Sequence, residues 1–397
     1  MVGRGSTRPV SRLAAGIVVV AALAACQGDG TTAASSGGDV GAQATATASP
    51  AASISLSPVD GSTNVRLDRR VTVAVAEGTL SAVTVTLPDG KALTGTMSDD
   101  KTSWTSAGPL RADSEYAVTA SAVNRDGETA TSHATFSTLK PKQTASITVL
   151  PQDGWTVGVG MPIIVNFTRS VQDRAAAEKA LTVTTTPTQV EGDWRWFSSR
   201  QVQWRPKTYW PSGTRVHLSA ALSGVELAPD VWGKRNVTTD FSIGSAMIST
   251  VDVRKHTLTV RKDGKVIRVI PVTTGKAGYL TRNGIKVIIS RETTHRMDAA
   301  SLGTDKDDPE YYNIVVKYAM RLTWSGEFFH AAPWSVGSQG RANVSHGCTG
   351  MSTANAQWLF NHSKVGDVAI YTGSKRALEW GNGYTAWDMS YAEWTKG

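Results

Sequence analysis

Cysteine is nearly missing from this chain: its 397 residues hold two, Cys26 and Cys348. A disulfide-stapled framework is thereby excluded, because the sole pairing would tie the N-terminal leader to the far end of the chain. Long apolar runs are scarce as well, and the stretch from Leu13 to Ala25 is too short to span a bilayer as a mature helix. Dense basic runs are also lacking. The net charge is +8, from 41 Lys and Arg against 33 Asp and Glu, and the cations are spread along the chain. Nucleic acid is therefore not an expected partner, since its recognition needs a clustered basic face. A mildly basic exterior suits an anionic envelope polymer or lipid surface, and equally an ordinary solvated surface.

What is present begins with an export signal. Arg4, Arg8 and Arg12 precede the apolar stretch, which ends in Leu23-Ala24-Ala25-Cys26. Small residues before a cysteine resemble a bacterial lipobox, so residues 1–26 are expected to be a lipoprotein signal peptide, with Cys26 acylated as the membrane anchor. A plain secretory cleavage site is the alternative. Residues 27–52 are rich in Gly, Ala, Ser and Thr and carry almost no large apolar residues, which predicts a flexible tether. With Cys26 lipidated, Cys348 is left as the one free thiol in an oxidising compartment, and hence a candidate nucleophile.

Beyond the tether, β-branched and polar residues alternate, as in Val71–Val75 and Val83–Leu87, with a turn at Pro88-Asp89-Gly90. An internal repeat organises this region: ISLSPVDG from Ile54 and ITVLPQDG from Ile147, closing on ATFS at 134–137 and TDFS at 239–242. Two tandem immunoglobulin-like β-sandwich modules are predicted, at 53–143 and 144–244. Trp194, Trp196, Trp204, Tyr209 and Trp210 cluster in the second. Such aromatics can stack on sugars, but in a small sandwich they more often fill a core or an interface.

A mostly β domain is expected at 245–373. It opens with a hairpin from Lys255 to Val272 around Asp263-Gly264, continues through short apolar strands including Val287-Ile288-Ile289, and ends with a strand at 367–371. One helix is predicted, from Thr353 to about His362, with Ser352 as N-cap and Trp358, Leu359 and His362 on one face. The segment 374–397 carries Trp380, Trp387 and Trp394, too aromatic for a disordered end, and is expected to pack on a neighbouring domain.

The chemistry concentrates in FFHAAPWSVGSQGRANVSHGCTGMS, residues 328–352. A cysteine attacks as thiolate, so it needs a neighbour that takes its proton; His330 and His346 are both candidates, and the helix after Ser352 is a further electrostatic aid. Gly347 lets the backbone turn sharply and lets backbone N–H groups face a developing oxyanion. A His330, His346, Cys348 metal set is the competing reading, but no fourth ligand is spaced nearby, so no metal is expected.

A histidine followed after fourteen residues by Ser-His-Gly-Cys resembles the active-site signature of the YkuD-type L,D-transpeptidases. The resemblance covers essentially the whole mature chain, including two immunoglobulin-like modules, the catalytic domain and an aromatic C-terminal segment. It implies a mainly β fold, no cofactor, and cross-linking of peptidoglycan stem peptides 3→3 through a cysteine thioester with release of D-Ala. Cys348 corresponds to the nucleophile and His330 to its base, oriented by the backbone carbonyl of Ala331. His346 and Gly347 correspond to the motif residues that support the nucleophile. Tyr312 and the Cys348 N–H match oxyanion and donor-site positions, Met297 a lid residue, and Ser345, Trp334 and Gly350 the rest of the substrate-binding set. The implied partners are a tetrapeptide donor and a diaminopimelate amine acceptor, with carbapenem β-lactams as inhibitors. Two departures stand out: Gly350 replaces the usual Asn, and Ala331 a frequent Ser. The same thioester chemistry would also serve an L,D-carboxypeptidase or protein attachment to the stem, while a wall-binding scaffold is a non-enzymatic alternative.

Overall fold

The computed structural model describes residues 49–396, so the expected signal peptide, Cys26 and most of the tether lie outside the described residues. Alternating sequence becomes alternating burial from Ser53 onward. In Glu115–Val123, Tyr116, Val118, Ala120 and Ala122 point inward. Two four-stranded sheets enclose them, one ordered Ser53–Ser57, Thr72–Ala76, Ser103–Ser106, Gly95–Met97 and the other Ser62–Val65, Thr129–Thr138, Glu115–Val123, Thr79–Thr86.

A second sandwich repeats the plan over Ile147–Ile243. The recurring Asp-Gly has a specific use in each. Asp60 accepts the Thr135 backbone N–H at 2.7 Å, and Asp153 accepts that of Asp240 at 2.9 Å, so each opening turn is clipped to the closing strand the repeat had marked. A second correspondence is less visible in sequence. A Cβ on Gly95 would lie 2.0 Å from the Trp104 ring, and one on Gly192 2.1 Å from that of Trp204, so in each module a glycine makes room for a core tryptophan. The second module also contains a short helix not expected from sequence, Arg174–Lys179, capped by Asp173. With six residues it is too short to show an amphipathic period.

The third region is built on a six-stranded sheet, ordered Lys265–Pro271, Thr257–Lys262, Met247–Asp252, Val368–Thr372, Arg282–Val287, Arg376–Ala377, and a four-stranded sheet, ordered Ser290–Asp298, Asn313–Arg321, Phe328–Ala331, Thr349–Met351. The hairpin turns at Asp263 and Gly264, both with positive φ (49° and 81°), as a two-residue turn of this hand requires. Ile288 and Ile289 are not strand residues. The strand ends at Val287, and these two buried isoleucines carry the chain from one sheet to the other. The helix Thr353–His362 buries Ala356 and Leu359, whereas Trp358 and His362 stack on each other at its flank, 4.2 Å apart. The predicted helix therefore stands with a different inner face.

The second sandwich and the third region share one core, in which Val157, Val159 and Met161 pack with Val287, Ile289 and Val368. The C-terminal segment closes over the junction. Trp387 donates to the Gly160 carbonyl at 2.7 Å, and Trp394 to that of Asp193 at 2.9 Å. Buried Arg205 sits under the rings of Trp387, Tyr391 and Trp394, at 4.8, 5.4 and 5.0 Å. Trp204 and Trp210 fill the module's core, and Tyr209 meets Trp387 edge-on at 4.6 Å. The aromatic cluster is thus core and interface. Among the described residues, no helix is long and apolar enough to cross a membrane.

Candidate active site

Strand pairing brings the chemistry together. Phe328–Ala331 runs parallel to Thr349–Met351 with Phe329 opposite Thr349 and His330 opposite Gly350. Side chains alternate along both strands. Phe329 and Thr349 turn inward to Tyr371, where Thr349 and Tyr371 hydroxyls meet at 2.7 Å. His330, Cys348 and Gly350 take the opposite face and line a cavity of about 320 Å³, together with Met297, Tyr312 and Trp334.

His330 is buried, and its Nδ1 lies 2.8 Å from the Ala331 carbonyl oxygen. A carbonyl only accepts, so Nδ1 carries the proton and Nε2 keeps its lone pair. The Ala331 methyl itself points into the core, which makes the replacement of a frequent serine structurally mild. Trp334, 60% exposed, stacks over the imidazole at 6.0 Å.

Burial pushes the His330 pKa down to about 4, the Ala331 carbonyl opposing the shift. Burial pushes the Cys348 thiol up to about 12, against the lowering effect of the Phe328 backbone N–H. The thiol donates to the Gly326 carbonyl at 3.4 Å. The resting pair is therefore neutral thiol and neutral imidazole. The helix after Ser352 is no substitute: the strand Thr349–Met351 intervenes, and three residues of strand span about 10 Å.

His346 is not the base. Its Nε2 lies 2.6 Å from Glu310, which also holds Lys276 at 2.6 Å, and its ring sits between Tyr279 and Tyr312, at 4.6 and 5.0 Å. It braces the loop at the cavity wall. Ser345 lines the cavity, but its hydroxyl is committed to that loop, donating to the Cys348 carbonyl at 2.6 Å and accepting the Gly347 N–H at 3.1 Å. Gly347 has φ +123°, a conformation that disfavours any side chain.

Tyr312 is raised to about 12, mainly by burial and then by Cys348, so its hydroxyl stays protonated as a donor. Met297 is a strand residue buried in one cluster with Cys348, Val316, Ala319 and Phe328, and it lines the cavity. Gly350 is not a vacancy left by a lost amide. A Cβ there would come 2.9 Å from that of Ala332 and 3.2 Å from Cγ2 of Thr273, while Gly350 N–H and C=O both pair with Thr273 at 2.9 Å.

Sequence reasoning missed the residues behind the nucleophile. Glu327 accepts from the Arg282 backbone N–H at 2.9 Å and from Lys286 at 2.5 Å, and Lys286 is wholly buried against Tyr371, 3.7 Å from its ring centre. No local motif announces Lys276, Thr281, Lys286, Glu310 or Glu327, because they reach the loop only through tertiary pairing. Among the described residues, no group of three or more His, Cys, Asp or Glu is placed to hold a metal.

A cysteine thiol and a carbonyl-oriented imidazole that line one cavity of a β-rich domain are the groups that thiol acyl transfer requires. Comparison with known proteins agrees. Residues 247–370 match the family described as the L,D-transpeptidase catalytic domain, and residues 62–226 match a bacterial Ig domain. L,D-transpeptidase 2 of Mycobacterium tuberculosis is 37% identical over 87% of this chain and 84% of its own length. L,D-transpeptidase 5 of the same organism is 34% identical over 86% of this chain and 75% of its own length. A solved L,D-transpeptidase in complex with imipenem superposes with a TM-score of 0.51 at 38% identity, covering 58% of this chain and all of its own. The chain belongs to the L,D-transpeptidase family, and its activity is that of a transpeptidase that cross-links peptidoglycan.

Proposed function

We propose that Cys348 and His330 carry two successive acyl transfers. The Cys348 sulfur attacks the carbonyl of diaminopimelate in a tetrapeptide stem as His330 Nε2 takes the thiol proton. The oxyanion forms between the Cys348 N–H and the Tyr312 hydroxyl. Collapse returns the proton to the departing D-Ala amine and leaves a thioester. The side-chain amine of a second stem then attacks this thioester and gives its proton to His330, which passes it to the departing Cys348 sulfur as the C–S bond breaks, forming a 3→3 cross-link. One amide replaces another, so neither cofactor nor ATP enters the balance.

The observation that carries this reading is the Nδ1–H of His330 held by Ala331, which leaves Nε2 as the free base on the face that Cys348 shares. A thiol that forms a thioester also opens a strained lactam, so carbapenems are expected to acylate Cys348. We further propose that residues 1–26 direct export and that Cys26 anchors the protein to the outer face of the membrane. In this reading the two sandwiches act as a spacer toward the wall.

Intact-protein mass spectrometry of residues 27–397 with a disaccharide-tetrapeptide tests the reaction. The expected result is D-Ala release with a cross-linked dimer, both lost in Cys348→Ala. Tripeptide without dimer would instead indicate a carboxypeptidase, and unchanged product in Cys348→Ala would remove Cys348 from the chemistry.

A further inference from the structure

The loop that presents Cys348 has four backbone polar groups next to the sulfur, the N–H and C=O of Gly347 and of Cys348. Buried backbone groups are nearly always paired, so each can be traced. Gly347 N–H goes to the Ser345 hydroxyl, and Cys348 C=O accepts from the same hydroxyl. Gly347 C=O is met by the hydroxyl of Thr281 at 2.8 Å. Among the described residues, the Cys348 N–H has no protein partner. Three groups are fixed and the fourth is left for substrate.

The Thr281 contact has a defined direction. Its Oγ1 accepts the Gly275 backbone N–H at 2.8 Å, and an N–H only donates, so the hydroxyl proton goes to the Gly347 carbonyl. The residue is 1% exposed. The Gly347–Cys348 peptide is planar and trans, so its N–H points opposite to its C=O. Holding the carbonyl on one side therefore aims the Cys348 N–H to the other. Nothing in the Gly347 backbone would do so by itself, because glycine at φ +123° is the most freely rotating residue available. The segment that supplies Gly275 also pairs with the start of the loop, Ser345 N–H to Thr274 C=O at 3.0 Å and Lys276 N–H to Ser345 C=O at 2.9 Å. Thr281 thus ties the nucleophile's peptide plane to a neighbour already in register.

We infer that Thr281 is a positioning residue, which fixes the Gly347–Cys348 peptide so that the Cys348 N–H is aimed at the developing oxyanion of the donor carbonyl. The inference rests on the assignment of Cys348 as nucleophile and of its N–H as an oxyanion donor. Thr281 touches neither substrate nor sulfur, and its effect is confined to steps that build negative charge on oxygen.

Two reactions of the same thiol separate this role from a structural one. Acylation by imipenem passes through a tetrahedral oxyanion as the lactam C–N bond breaks and the proton moves to the ring nitrogen. Alkylation by iodoacetamide forms an S–C bond and expels iodide without any oxyanion. Both are followed by intact mass on the full mature chain. Thr281→Val keeps the shape and loses the hydroxyl; it is expected to slow acylation about 30-fold, below the loss seen when an oxyanion donor is removed outright, while alkylation stays within about twofold by the same reasoning. Thr281→Ser is expected to recover most of the acylation rate. Thr281→Ala, read by the same ratio, serves if the valine variant does not fold. Equal losses in both reactions, or wild-type acylation in the valine and alanine variants, would overturn the role of Thr281. Absence of both adducts at Cys348 in the wild type would instead overturn the nucleophile assignment.

Discussion

His330 is oriented by the residue that follows it: its Nδ1–H donates to the Ala331 carbonyl at 2.8 Å, where many catalytic histidines lean on a carboxylate. A carbonyl fixes the tautomer without contributing a negative charge that would stabilise an imidazolium. Burial leaves His330 depressed to about 4, the Ala331 carbonyl only partly opposing it, and raises Cys348 to about 12.

The pH dependence of acylation follows directly. The reaction needs neutral imidazole as base and thiol as nucleophile, and both forms dominate between the two pKa values. Imipenem acylation is expected to be nearly flat from pH about 5 to about 10 and to fall only as His330 gains a proton near the lower value. Stopped-flow rates across that range check it. A steep limb near the ordinary imidazole value would show an exposed or ion-paired histidine instead.

Gly350→Asn restores the residue usual in the resembling signature, yet it is expected to lower activity. The new Cβ meets the Ala332 methyl at 2.9 Å, and Ala332 directly follows the strand that carries His330. Overpacking of this kind costs about 1–3 kcal/mol, which corresponds to roughly 5- to 150-fold if it falls on the transition state. Adding Ala332→Gly should return much of the rate, as measured by cross-linked dimer formation.

Glu327 and Lys286 form a buried pair behind the nucleophile, with side chains 4% and 0% exposed. Lys286→Met leaves Glu327 paired to Arg282 alone, and is expected to destabilise the catalytic domain by about 3 kcal/mol. The double variant Lys286→Met with Glu327→Leu should lose more than the single one, because it also takes the acceptor from the buried Arg282 backbone N–H. Calorimetric melting of the two variants distinguishes the outcomes.

Asp367 lies where Gly158 of the second sandwich packs on the catalytic domain, and its Oδ1 has no partner among the described residues. Burial raises its pKa to about 7 from an ordinary 3.8. The folded state therefore holds its proton more tightly than the unfolded state. Its contribution is fully present below the ordinary value and is lost as pH rises through about 7. Asp367→Asn is expected to raise Tm at pH 8 by a few degrees, with roughly 2–4 °C per kcal/mol for domains of this size. At pH 5 the difference should shrink, and an equal shift at both values would reject the assignment.

Much of this protein was legible in order along its chain. Alternation of β-branched residues predicts the strands, the Pro-x-Asp-Gly repeat marks the two sandwiches, and Ser352 before an apolar run marks the helix. Each is a local signal, set by backbone preference within a few residues. Where short-range pattern was ambiguous, tertiary context decided: Ile288-Ile289 looks like strand and is a crossing between sheets, because apolar runs that short do not distinguish the two.

At the site, sequence alone singled out the candidate residues, since a lone thiol in a Ser-His-Gly-Cys loop with an upstream histidine has few other uses. The resemblance points to His330 as base; its charge state and its free nitrogen come from the fold. His330 shares a face with Cys348 because two distant strands pair in parallel register, while His346, two residues from the sulfur, is turned away to Glu310. Burial then sets both pKa values, and burial depends on every element packed around the cavity. Lys286, Glu327 and Thr281 are ordinary residues in sequence; their roles come from what lies next to them, and no one-dimensional pattern records that.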